Sequence, residues 1–420
     1  MALLAGRLVK SISYLISSEF LSKFTSFLII IILARSLSVS DFGDYSFITS
    51  FMVFFSVFLD FGLNIYFIKQ VANEKKSASF YFSNIFFLKL MISSLVFILF
   101  LFLLFFVKRF EEIKLLLLLA LIYTLLTSFS QFVTSVFKAH ERMHFVLFVT
   151  LSEKLFLLSL FFYAMYGQLK LPQTFLFYIF SALLALLLSL FLVFYNFKIT
   201  LHKIIPSFLK TAINYSYPLA LSNFLWIIYF KIGTIMLYFF KTNVEVGLYN
   251  IAYSLFIAIN IIPTTLEIAL LPRLSTLSKD KLILTISQYS KYFFYLSLIL
   301  VLLFFLISKQ LISLLYGSVF VQSSISFKIL ILSLFLLFQS HLYNVVFQVF
   351  SLQKIILKTT LLCAIFNIFA NLLIIKKYGV IGISITTLLT EFLMFIFFYF
   401  SFKKYILKEN SSYEINKQTI

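Results

Sequence analysis

Apolar stretches of helical length recur along almost the whole chain, and this constrains the fold more than any other feature. They lie near residues 11–34, 44–68, 80–107, 114–137, 144–166, 173–197, 211–240, 247–271, 288–308, 328–351, 355–375 and 380–402. Each reaches or exceeds the roughly 20 residues needed to cross about 30 Å of hydrocarbon, and several are long enough to tilt, kink or project from the bilayer. No polar block longer than about 15–20 residues separates them, which leaves no room for a water-soluble domain. With 62% hydrophobic and 12% charged residues, the chain has lipid as its solvent. The expected fold is therefore all-α, with about 12 transmembrane helices.

Arg7 and Lys10 precede the first apolar segment, as in a signal peptide. No small-residue cleavage site follows, and Glu19 and Lys23 interrupt the segment, so it is expected to remain as the first helix. The one cysteine, Cys363, falls in an apolar run. It can form no internal disulfide, and its plain role is that of a small buried residue. The 59 phenylalanines against nine glycines fit an AT-rich genome and are not evidence of an aromatic binding site.

Basic residues set the orientation. With the N-terminus cytoplasmic, twenty Lys and Arg fall in inside segments and ten in outside segments, while Lys23, Lys89, Lys154 and Lys231 lie within helices. The bias places both termini inside. The net charge of +19 then follows from topology and from contact with anionic lipid, and no nucleic-acid partner is expected.

The polar gap 198–210 holds Lys198, His202, Lys203, Pro206 and Lys210 and reads as a cytoplasmic link between two halves. A repeat supports that division. Gly43-Asp44-Tyr45 followed by Ser50, after the first segment, recurs at identical spacing as Gly247-Leu248-Tyr249 followed by Ser254, after the seventh. Two pseudo-repeated six-helix lobes around a central cavity are expected. The N-terminal lobe covers residues 1–200, the linker 201–210, the C-terminal lobe 211–405 and a short cytoplasmic tail 406–420.

The run Ala34-Arg35-Ser36-Leu37-Ser38-Val39-Ser40-Asp41-Phe42-Gly43-Asp44-Tyr45 resembles the signature after the first helix of Wzx-type polysaccharide flippases. These belong to the multidrug, oligosaccharidyl-lipid and polysaccharide (MOP) exporter superfamily. Leu59-Asp60-Phe61-Gly62-Leu63, Val246 to Tyr253, Leu270 to Ser275, Leu315-Tyr316-Gly317 and Tyr378 to Gly382 resemble family positions in the same order. The resemblance implies a two-lobed bundle in the bacterial inner membrane. Such a bundle moves polyprenyl (undecaprenyl) pyrophosphate-linked oligosaccharide from the cytoplasmic to the periplasmic leaflet for O-antigen or capsule biosynthesis. A polysaccharide polymerase and a chain-length regulator are the protein partners it implies.

A sugar chain with a pyrophosphate head cannot shed its water in hydrocarbon without polar replacements, so ionisable residues within the spans are the candidates for function. Lys231, mid-segment, is the first candidate for binding the anionic head group, the alternative being a structural pairing with a carboxylate. Lys23, Arg35, Asn223 and Tyr229 complete the expected cavity set. Glu19, Asp60, Glu267 and Glu391 are the candidates for coupling or ion pairing. Glu19 and Lys23 stand one turn apart and are expected to meet as a near-neutral pair facing the bundle interior. Adjacent Glu153 and Lys154 diverge by roughly 100° on a helix and are expected to serve as interfacial anchors. Glu267 lies between Pro263 and Pro272, where a bend would assist alternating access. Asn214, Asn250, Asn260, Gln339, His341, Asn344, Gln348, Asn367 and Asn371 offer hydrogen bonds that suit sugar hydroxyls or helix packing equally.

Enzymatic signals are missing: there is no nucleotide-binding loop, no metal-ligand cluster and no nucleophile with a base at readable spacing. No catalytic residue, metal or cofactor is expected. A drug or metabolite antiporter of the same superfamily, and a membrane-bound polymerase or ligase, are the competing functional readings.

Overall fold

The computed structural model describes residues 2–165 and 167–407, with side chains for 13–165, 167–279 and 281–406. The expected tail, beyond its first two residues, and the side chains of Arg7 and Lys10 lie outside the described residues. Helices account for nearly all of the described backbone, and no strand occurs among the described residues.

In chain order the helices are α1 (Ala2–Ser36), α2 (Val39–Asp60), α3 (Leu63–Asn73), α4 (Ala78–Phe106), α5 (Lys114–Ala139), α6 (Met143–Ala164) and α7 (Leu171–Phe197). After them come α8 (Pro206–Phe240), α9 (Asn243–Ser275), α10 (Lys279–Tyr316), α11 (Ser323–Leu332), α12 (Leu334–Val349) and α13 (Gln353–Phe402). Eleven helical stretches of the described chain are long and apolar enough to cross a membrane. The expected count of 12 differs only at the end, where segments 355–375 and 380–402 join into α13 with Gly379 non-helical (φ 49°, ψ −126°) between them. Two other expected single helices are interrupted: 44–68 divides at Phe61–Gly62 and 328–351 at Ser333. The linker is shorter than expected, because Pro206 starts α8, a first-turn position where its missing N–H costs nothing.

Packing divides the chain into two compact units, Met1–Ile227 and Ile228–Ile420, with the boundary inside α8. In the first unit α5 packs along α7, and α1 along α6. The early part of α8 joins this unit through rings: Phe208 and Tyr215 contact Tyr66, and Phe224 contacts Phe54 and Phe58. In the second unit α12 packs against α9 and α13.

The sequence repeat corresponds to repeated local structure. Ser38 caps α2 by accepting the Asp41 N–H at 3.1 Å, and Thr242 caps α9 by accepting the Glu245 N–H at 3.3 Å. Later, α5 ends in a left-handed Glu141 (φ 59°) with Arg142 N–H donating to Phe137 O at 2.8 Å. The corresponding turn after α12 has Ser351 (φ 56°), with Leu352 N–H donating to Phe347 O at 2.7 Å. Both are helix-ending turns that satisfy carbonyls the helix itself leaves open.

The prolines inside α8 and α9 interrupt neither helix: Pro218, Pro263 and Pro272 all lie within continuous stretches. The true break in the first unit is at Phe61 (φ 49°) and Gly62 (φ 76°), between α2 and α3. A Cβ on Gly62 would sit 2.9 Å from Ser216 O and 3.0 Å from Leu219 Cβ of α8, so the position needs glycine for space as well as conformation. Gly62→Ala is expected to destabilise the protein by about 1–3 kcal/mol, read as a lower thermal midpoint of the purified protein. Gly167→Ala, where an added Cβ would have its nearest neighbour at 3.9 Å, is the control and should leave the midpoint unchanged.

Candidate functional site

Three polar constructions stand inside otherwise apolar helices, one in the first unit and two in the second. The first begins at the α2–α3 break. Ending α2 at Asp60 leaves its last carbonyls without helical partners, which is costly at membrane depth. Lys89 of α4, fully buried, donates to Leu59 O at 3.1 Å and lies 3.7 Å from Asp60 Oδ1. The ammonium thus meets the negative end of the α2 dipole and a carboxylate together. Its Nζ also lies 5.8 Å from the Phe132 ring centroid.

Asp60 opens onto a cavity of about 280 Å³, walled by Ser56 of α2, a stripe of α5 and the residues Asn223, Trp226 and Ile227 of α8. The α5 stripe is Thr124, Thr127, Ser128 and Gln131, a spacing that places all four on one helical face. Two of the expected site residues, Asp60 and Asn223, therefore line the same cavity.

In the second unit, Glu267 of α9 is held by three residues of α12. His341 Nδ1 makes a short bond to Oε2, while Asn344 and Gln348 donate their amides to Oε1 at 2.8 and 2.9 Å. Residues 341, 344 and 348 follow one helical face, so a single side of α12 encloses the carboxylate. The third construction surrounds Glu391 of α13, only 3% exposed, whose Oε1 accepts from Tyr229 OH at 2.6 Å. On the same helix Asn371 donates to Asn367 at 2.8 Å, and Asn367 donates to Thr390 at 2.9 Å. This brings together Tyr229 and Glu391, expected separately as a substrate contact and a coupling group.

Lys231 stands apart. Its Nζ lies 5.8 Å from the Tyr253 ring centroid, and it forms no ion pair among the described residues. On α1 the expected Glu19–Lys23 pair is not formed. Both residues are exposed and no ion pair joins them, because one-turn spacing permits a contact that only surrounding packing can hold. Arg35 is exposed in the last turn of α1, where a cation suits the helix dipole. Glu153 and Lys154, expected to diverge, instead pair at 2.8 Å with side chains 16% and 12% exposed. Their long, flexible side chains bridge the angle between their backbone positions. Cys363 is buried, as expected.

Reading the sequence did not single out Lys89 or the α5 stripe. The stripe was detectable as four polar residues at helical spacing. Lys89 was visible as one of four lysines within helices, but its partner, on another helix, was not.

A family model described as "Polysaccharide biosynthesis protein" matches residues 8–278, well over half of the chain. The chain belongs to the polysaccharide biosynthesis protein family. Among solved structures, this family member is similar to the lipid II flippase MurJ in an inward closed conformation. The TM-score is 0.75 at 14% identity, covering 94% of this chain and 88% of MurJ. An inward-facing multidrug resistance MATE transporter of the MOP superfamily gives 0.66 at 13% identity, covering 90% of this chain and 94% of the transporter. The Vibrio cholerae MATE transporter VcmN in its bent form gives 0.57 at 15% identity, covering 97% and 98%. These likenesses establish the fold that MurJ and the MATE transporters share. No curated protein matches the sequence significantly.

The Lys89–Asp60 pair can be tested by a double-mutant cycle. Removing one partner of a buried pair is costly because the other charge is stranded, by about 3–5 kcal/mol. Asp60→Asn and Lys89→Met should each lower the thermal midpoint strongly. The double variant should recover most of the loss, and a double loss equal to the sum of the two single losses would mean that the pair is not coupled.

Proposed function

We propose that the protein is a flippase for polyprenyl pyrophosphate-linked oligosaccharide. It would carry repeat units from the cytoplasmic to the periplasmic leaflet of a bacterial inner membrane, with both of its termini cytoplasmic. The observation that carries this reading is membership of the polysaccharide biosynthesis family in a chain whose fold matches a lipid II flippase along 94% of its length. The internal polar groups support it. A hydrophilic cargo needs partners for its hydroxyls and charges across the hydrocarbon, and such groups are rare in membrane helices unless they work.

Lys231 is proposed as a contact for the pyrophosphate, with Lys23 and Arg35 adding positive charge along the route. An ammonium without a protein carboxylate keeps its attraction for an anionic ligand. Glu267 and Glu391 are proposed as coupling groups, since their partners are neutral donors and His341. A membrane potential of 100 mV, negative inside, would contribute about 2.3 kcal/mol for each negative charge moved outward across the full field.

The likeness to MATE transporters supports a second reading, a drug or metabolite antiporter. Deleting the gene in its host separates the two. Complete lipid-linked repeat units should accumulate on the cytoplasmic leaflet while surface polysaccharide disappears. Units that reach the periplasm but remain unpolymerised would instead point to a polymerase or ligase, and unchanged polysaccharide with altered drug tolerance would point to the antiporter.

In the same host, Lys231→Ala should abolish export at normal protein level, and Lys231→Arg should retain part of it. Normal export by the alanine variant would remove Lys231 from the head-group site.

A further inference from the structure

The cavity beside Asp60 has a chemical character that the flippase reading leaves unassigned. Its walls carry hydroxyls from Thr124, Thr127 and Ser128, a carboxylate from Asp60, the Gln131 amide and the indole of Trp226. The Thr124 and Thr127 hydroxyls donate back to Ala120 O and Thr124 O at 2.7 and 3.0 Å, so their lone pairs remain as acceptors. Ser128 is only 5% exposed, and its Oγ has no hydrogen-bond partner. The Gln131 side chain on the same stripe is exposed and offers an amide donor and an acceptor to a ligand in the cavity.

Charge narrows the ligand class. The ammonium of Lys89, 3.7 Å from Asp60, offsets the carboxylate, so the site has no net charge with which to attract a cation. An anion would face the Asp60 oxygen, while Lys89 is turned to Leu59 O. What remains is a neutral ligand rich in hydroxyls that donates to Asp60 and lays an apolar face on an aromatic ring. At about 280 Å³ the space falls just below the range of small-molecule pockets, roughly 300–1,000 Å³, which suits one ring and not a chain.

We infer that this cavity is a subsite for a single pyranose ring, with Asp60 and Gln131 hydrogen-bonding its hydroxyls and Trp226 stacking on its face. As the place where the cargo's sugar is read, the subsite rests on the flippase reading. As a sugar site, it can be tested without it.

Trp226 is the only tryptophan in the chain, so tryptophan emission, excited beyond the tyrosine band, reports from this one cavity-lining residue. The full-length protein in lipid nanodiscs would be titrated with methyl glycosides of hexoses, N-acetylhexosamines and deoxyhexoses. Tetraphenylphosphonium and inorganic pyrophosphate are the cationic and anionic probes. At least one glycoside should shift the emission saturably at millimolar concentration, and the other two probes should not. Gln131→Ala, a change at an exposed position, should weaken that glycoside about tenfold, in line with one lost hydrogen bond to a ligand. Ser128→Leu, which fills the cavity, should abolish the shift.

Absence of a shift with every glycoside, a shift unaltered by Ser128→Leu, or a response only to tetraphenylphosphonium or pyrophosphate would overturn the subsite. Normal export by Ser128→Leu in a host whose deletion strain accumulates lipid-linked units would overturn it as a cargo site and leave the flippase reading standing. Failure of the deletion strain to accumulate them would overturn the flippase reading and leave the glycoside titration as it is.

Discussion

A helix that stops inside hydrocarbon must have its open carbonyls answered by something, and in the first unit that obligation falls on one side chain. Lys89 reaches Leu59 O and Asp60 together, so one buried cation serves the broken end of α2 and the carboxylate that ends it. The cost of burying Lys89 is offset only because both acceptors are present. Once α2 ends there, Gly62 can turn the chain against α8, and Asp60 is presented to the cavity rather than absorbed into a helix wall. The polar stripe of α5 then has a carboxylate to face. Without the cation, α2 would gain by running on as a helix, and the cavity would lose its charged member.

The spans themselves were legible because lipid imposes a length and an apolar character that survive any rearrangement of side chains. The repeat was legible because it rests on local chemistry: the Ser38 and Thr242 caps and the left-handed turns at Glu141 and Ser351 are decided by a few adjacent residues. The interrupted helices were less so. Leu59 to Leu63 resembles a family run, but nothing local says that Gly62 lies against Ser216 of α8.

Pairings between helices marked the limit. Glu267 is separated from His341, Asn344 and Gln348 by more than seventy residues. The helical spacing of the three partners could be read in advance, but not the carboxylate they enclose. The opposite error occurred on α1, where the spacing of Glu19 and Lys23 suggested a pair that the fold does not form. One-turn spacing on a helix is worth only a few tenths of a kcal/mol, about 0.2–0.5, too little to fix two exposed side chains.

The two units handle their ionisable groups differently. In the first, Asp60 is matched by Lys89, and Glu153 by Lys154. In the second, Glu391 is held by a tyrosine, Glu267 by two amides and a histidine, and Lys231 pairs with none of the described carboxylates. A matched pair resists change, because altering either charge strands the other in a poor solvent. Carboxylates held mainly by neutral donors have no opposite charge to strand, so a cation or a ligand can approach them without breaking a buried pair. A transporter needs both kinds of site: fixed polarity to replace the water around its cargo, and adjustable charge to make one direction of movement favourable. On the flippase reading proposed above, the matched pairs of the first unit would supply the fixed kind, and Glu267 and Glu391 of the second the adjustable kind.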